Sequence, residues 1–116
     1  MLNKEIVGFS VGDALYGIKA EDIYQIIGGD CAVTYLPFAK DYISGVISFE
    51  TDILPVVSAS KFFNPQGQKQ TIGKSIIILQ KLDEKLALSV EGEIEFIGQD
   101  QLPGSLRMIK WEDFQR

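Results

Sequence analysis

A chain of 116 residues with 46% apolar content is long enough to close one domain around a core without staples. Its net charge is −5, and its 11 basic residues are scattered among 16 acidic ones, so no basic run exists to displace counterions from phosphate; nucleic acid and anionic membrane are excluded as partners, and the acidity reads as solubility. The lack of histidine and the single cysteine, Cys31, remove the commonest general base, the internal disulfide and a zinc site together; no metal and no cofactor is expected.

The amino-terminal residues alternate. Ile6, Gly8 and Ser10 fall on one side and Val7, Phe9 and Val11 on the other, the period of a strand with one buried face. Gly12-Asp13 interrupts the run, and Leu15, Tyr16 and Ile18 resume it, which predicts a hairpin. Ala20-Glu21-Asp22 has room for one helical turn. Ile23, Ile26 and Ile27 fit either a short helix face or a further strand, and Gly28-Gly29-Asp30 stops them.

Ala32 to Leu36 reads as a strand ending at Pro37. Tyr42 to Phe49 and Ile53 to Val57 read as two more, around a Thr51-Asp52 turn; Pro55 belongs at an edge or beside a bulge because it cannot donate to a ladder. Gly45 inside its apolar run signals a bulge or the close approach of another chain. Ser58 to Phe63 suggests a helical turn, and the polar stretch Asn64 to Gly73 a loop. Lys74 to Leu82 and Leu86 to Val90 form a hairpin around Asp83-Glu84-Lys85, Ile94 to Ile97 a short strand, and Leu106 to Trp111 a last one. About eight short runs between turn residues describe an all-β barrel or sandwich. One domain, 1–116, is expected, with halves at roughly 1–63 and 74–116 joined by the loop 64–73.

Catalytic groups are hard to assemble from this chain. Ser58 and Ser60 have no histidine to activate them, and Cys31 has no basic neighbour, which predicts an inert, partly buried thiol. Glu91, Glu93 and Glu95 share one face if they lie on a strand, with Ile94 and Phe96 opposite. A hydrolase or small-ligand barrel built on those acids requires a buried carboxyl with a raised pKa, whereas the alternation predicts three exposed ones. The expectation is a protein-binding module and not an enzyme. No signal-peptide core follows Met1, and the longest aliphatic run, Ile76 to Leu79, is far too short for a bilayer, so a cytoplasmic location without membrane insertion is expected.

The middle of the chain resembles the CheW-like chemotaxis coupling proteins. The likeness is carried by Leu36-Pro37-Phe38-Ala39-Lys40-Asp41-Tyr42-Ile43-Ser44-Gly45-Val46-Ile47 followed by Ile53-Leu54-Pro55-Val56-Val57. Phe9 to Ile18 is similar to the family's first hairpin, Ile23 to Ile26 to its next element, and Lys74 to Val90 to the strand pair of its second half. The resemblance implies two small SH3-like β-barrels packed together, and an adapter that bridges a CheA-type histidine kinase to the cytoplasmic tips of chemoreceptors. Binding is then expected at exposed residues beside the glycine: Gly45, Val46, Phe49 and Glu50, with Ile23 and Gln25 nearby. Val46 serves equally well as core.

Several positions depart from the family pattern. The family strand runs Gly-Val-Ile-Asn-Leu-Arg-Gly, and Glu50 stands where the arginine does, a reversal of charge. Gln25 replaces an acid, and Ser58 replaces an aspartate. The closing hairpin is compressed into Ser105 to Phe114, which leaves the second barrel abbreviated or differently closed. These departures support an alternative: a diverged module that has lost ordinary coupling and binds another partner or acts as a decoy.

Overall fold

The amino-terminal alternation folds as the hairpin it predicts. In the computed structural model, which describes residues 5–29, 33–36, 40–64 and 75–114, strands β1 (Glu5–Val11) and β2 (Ala14–Lys19) pair antiparallel with Val11 opposite Ala14. The two-residue loop has Gly12 at φ +59°, the first central position of a type II′ turn, which only glycine fills without strain. A 3₁₀ turn at Ala20–Asp22 follows, then β3 (Ile23–Gly28); the isoleucines at 23, 26 and 27 are therefore strand residues.

Strands β4 (Ile43–Phe49) and β5 (Asp52–Ser58) form the second hairpin, and helix α1 (Ala59–Phe63) leaves directly from β5. Ser58 caps that helix: its hydroxyl accepts from the Lys61 backbone N–H at 3.2 Å. Strands β6 (Ser75–Lys81) and β7 (Glu84–Val90) form the third hairpin, and β8 (Glu95–Gly98) and the two-residue β9 (Arg107–Met108) complete the strands. Parallel pairing of β5 with β7 begins at Val56, one residue past Pro55, so the proline sits where β5 is still an edge on that side.

Among the described residues, nine strands make two sheets, ordered β8-β1-β2-β9 and β3-β6-β7-β5-β4. The second sheet buries both faces. Ile77, Leu79, Leu88 and Val90 meet Val7, Phe9 and Ile18 of the first sheet, while Ile76, Ile78 and Ala87 pack with Ile47, Leu54 and Val56 in a separate cluster. Burial on two faces is why residues 76–79 read as an unbroken aliphatic run and not an alternating one. Tyr42, Phe62, Phe63 and Phe114 form an aromatic group in which Phe62 lies 4.9 Å from both Tyr42 and Phe114, centroid to centroid, tying α1 to the carboxyl-terminal 3₁₀ turn Trp111–Phe114.

Several expectations are corrected. The sheets do not divide at the 64–73 loop: the first takes β1 and β2 from one end of the chain and β8 and β9 from the other, and the second is the contiguous stretch between. The expected 32–36 strand is, among its described residues, a single bridge between Thr34 and Val46. The closing segment is no hairpin; β9 runs parallel to β2 for two residues and gives way to the 3₁₀ turn, so the first sheet is abbreviated. Cys31 and most of the 64–73 loop lie outside the described residues. Among the described residues, no helix is long and apolar enough to cross a membrane.

Candidate protein-binding site

Two bulges shape the candidate region. Ile23 pairs with Leu79 and Gln25 with Ile78, so Tyr24 is an extra residue in β3. A bulge re-aims its side chain, and Tyr24 reaches the tip of the β4–β5 hairpin. Its ring meets Phe49 edge-on at 5.8 Å, and its hydroxyl donates to the Glu50 carboxylate oxygens at 2.9 and 3.2 Å. Strands β3 and β4 are the two outer strands of the five-stranded sheet. Contact between them means that this sheet has curled shut, and the Tyr24–Glu50 pair is a clasp on the closed barrel.

Glu50 occupies the first loop position between Phe49 and Asp52, at φ +55°. A left-handed backbone at a residue with a Cβ costs about 1–2 kcal/mol. Lys85 lies 4.8 Å over the Tyr24 ring and 3.9 Å from the Asp52 carboxylate. The tip thus holds two acids, one lysine and one phenol. The hydrogen bond to Glu50, with the negative charge of that carboxylate and then burial, raises the Tyr24 phenol above its ordinary pKa.

The second bulge makes Ser44 the extra residue between Ile43 and Gly45. Next to it, Val46 donates to the Thr34 carbonyl at 2.9 Å, and Thr34 donates back to the Val46 carbonyl at 2.8 Å. This brings the Thr34 peptide over Gly45. A Cβ on Gly45 would lie 2.8 Å from the Thr34 carbonyl carbon and closer still to its oxygen. The close approach signalled by this glycine is therefore made by the chain's own backbone.

Of the six residues expected to bind a partner, the structure gathers Phe49 and Glu50 with β3 through Tyr24, and leaves Glu50 and Gln25 exposed. Val46 and Ile23 are half-buried, Ile23 against the core between the sheets. Gly45 and Phe49 are buried, which corrects the expectation that they are exposed: Gly45 is covered by Thr34, and Phe49 packs into the second core cluster. Sequence reasoning missed Tyr24, Asp52 and Lys85. The available signal was an aromatic residue set between Ile23 and Gln25.

The acids considered for hydrolysis are arranged otherwise than catalysis requires. Glu91, Glu93 and Glu95 are all exposed, and only Glu95 belongs to a strand.

Comparison with known proteins gives the fold a family. The chemotaxis protein CheW of Treponema pallidum (strain Nichols) is 25% identical over 91 residues, covering 75% of this chain and 53% of that protein. The chain thus spans about half the length of this relative. The crystal structure of the scaffolding protein TtCheW from Thermoanaerobacter tengcongensis matches with a TM-score of 0.74 at 23% identity, over 94% of this chain and 90% of that one. The shared fold is the all-β pair of SH3-like barrels expected from the sequence. A model of the CheW-like domain matches residues 5–105, which take in β1 to β8 of both sheets, and the chain belongs to the CheW-like domain family.

Proposed function

We propose that this chain is a non-catalytic coupling scaffold of chemotaxis-type signalling. It acts in the cytoplasm and holds a CheA-type histidine kinase together with the cytoplasmic tip of a chemoreceptor. The observation that carries this reading is the family match through strands of both sheets. The relatives bear the names chemotaxis protein and scaffolding protein, which agrees with it.

Within this reading, Glu50 and Gln25 present polar groups to the partner, and Val46 and Ile23 offer half-buried apolar edges beside them. Gly45 and Phe49 act from behind this surface. Gly45 lets the 33–34 segment cover β4, and Phe49 supports the Tyr24 ring.

A second reading rests on one specific observation. The Glu50 carboxylate is engaged by Tyr24 of its own chain, at the position where the family pattern has an arginine. In this reading the module has left ordinary coupling and recognises a partner with a basic group opposite Glu50, or occupies one surface as a decoy.

Co-sedimentation with a CheA-type kinase and receptor cytoplasmic fragments tests the first reading, with Glu50→Arg as the comparison. Entry of the natural chain into a ternary complex that supports kinase activity is the expected result. Binding to neither, or only after Glu50→Arg, overturns ordinary coupling in favour of the second reading.

A further inference from the structure

Leu82 is the most exposed large apolar side chain among the described residues, at 87% of its full surface. It also sits at φ +56°, at the tip of the β6–β7 hairpin. A branched side chain gains nothing from either condition: the left-handed backbone strains it, and water surrounds it. Strain of this kind persists where it serves something other than folding.

Its surroundings indicate what that is. A hollow of about 430 Å³ beside Leu82 is bounded by Trp111 of the carboxyl-terminal turn and by Asp83 and Glu84. The same three residues also line a larger hollow of about 730 Å³. Its far wall is the β4–β5 hairpin, with Ile53, itself 66% exposed, and Leu54 and Pro55. Tyr42, Leu86 and Phe114 add further apolar wall. The two hollows share Trp111, Asp83 and Glu84, and their apolar side chains follow a band from Ile53 past Trp111 to Leu82, edged at the smaller hollow by Lys81 and Glu112.

The charges around this band are unequal. Lys81 is paired with Glu112, Lys85 is drawn to Asp52 and the Tyr24 ring, and Lys40 lies 5.8 Å over the Tyr42 ring. Asp83 and Glu84 are exposed and have no ion pair among the described residues. Each of these lysines has a contact within the chain, and among the described residues the two acids between the hollows have no ion-pair partner.

We propose that this band is a docking surface for an apolar segment of another protein that carries lysine or arginine beside its apolar residues. The apolar side chains of the segment cover Leu82, Trp111 and Ile53, and its cations meet Asp83 and Glu84. The surface is distinct from the Glu50 tip, and the proposal does not depend on the kinase and receptor reading.

Trp111 is the only tryptophan, so its fluorescence reports occupancy directly. The probe is an amphipathic helical peptide of leucine and lysine, compared with a peptide of equal length in which glutamate replaces lysine. The leucine–lysine peptide is expected to shift Trp111 emission saturably, and the leucine–glutamate peptide is not. Asp83→Lys with Glu84→Lys should weaken binding by about tenfold or more. The control pair Asp13→Lys with Glu21→Lys makes the same change in net charge on exposed residues elsewhere and should leave binding nearly unchanged. Leu82→Asn, which suits a left-handed backbone, should raise the melting temperature and weaken peptide binding together. Equal binding of both peptides, equal losses in the test and control pairs, or undiminished binding by Leu82→Asn would each overturn the proposal.

Discussion

The Tyr24 hydroxyl stands 2.9 Å from one carboxylate oxygen of Glu50 and 3.2 Å from the other, joining the two outer strands of a five-stranded sheet. This bond gives the acid at the hairpin tip an intramolecular purpose. An arginine at the same place, donor-only and positive, has no acceptor for the phenol O–H and could only donate to the phenol oxygen or stack on the tyrosine ring.

The clasp has a pH signature. The Tyr24 pKa is raised in the folded chain. A raised folded pKa contributes stability that is complete below the ordinary tyrosine value and is lost as pH rises through the folded one. Titration of tyrosine absorbance should therefore show the Tyr24 phenol ionising above its ordinary range. Glu50→Gln keeps an acceptor but removes the charge, and should bring that phenol back toward its ordinary range. Glu50→Arg should bring it back further.

Gly45 is expected to tolerate no side chain. Gly45→Ala places a methyl group against the Thr34 carbonyl, and the bridge from Thr34 to Val46 has to yield. A loss of about 1–3 kcal/mol or more is expected in denaturant unfolding. Gly45→Trp should be more damaging still. A cooperative Gly45→Ala transition at the natural midpoint would refute this account of the glycine.

Ser58 stands where the family pattern has an aspartate, and either residue can cap a helix. Ser58→Ala removes the acceptor for the Lys61 N–H and should cost about 1 kcal/mol. Its effect should fall on α1 and the aromatic group that α1 carries. Loss of near-ultraviolet circular dichroism from Phe62 and Phe63 at lower denaturant than the sheets unfold is the measurement.

The carboxyl-terminal turn should respond to acid. Lys81 pairs with Glu112 and lowers its pKa, with help from a backbone hydrogen bond. A depressed folded pKa contributes stability that is present above the ordinary glutamate value and is lost as pH falls through the lower folded one. Trp111, next in sequence, should change its emission in that acidic window, and Glu112→Gln should remove the change. Because both partners are exposed, the effect should shrink with added salt.

Much of the fold was legible because its signals are local. Alternation at residues 6–11 and the Gly12-Asp13 step predict the first hairpin, and the run Ser58 to Phe63 ahead of the polar 64–73 stretch suggests the helical turn that α1 forms. The family resemblance, carried by residues 36–57, supplied the paired-barrel architecture that periodicity could not. What escaped depends on distant partners. Gly45 announces a close approach, but Thr34, which makes it, lies in an irregular stretch with a single bridge. Glu50 reads as a bare charge reversal, since the tyrosine that holds it arrives only when the sheet curls and a bulge turns Tyr24 toward it. Trp111 reads as the end of a last strand with Phe114 just beyond it; the place of Phe114 follows from packing on α1, which no period encodes.

The nesting of one sheet inside the other bears on how the molecule is assembled. Strand β1 finds β8 only across nearly the whole length of the chain. While the intervening residues are unstructured, closing so long a loop carries a large entropic cost. Once residues 23–90 have folded on their own cluster of Ile47, Leu54 and Ile76, they hold β2 and β8 at fixed places, and the remaining search becomes short. From this topology the inner sheet is expected to form first and to template the outer one, an order that φ-values in the two sheets would test. A lesion in the inner core should reach both, whereas one confined to the β1–β8 seam should leave the inner sheet standing.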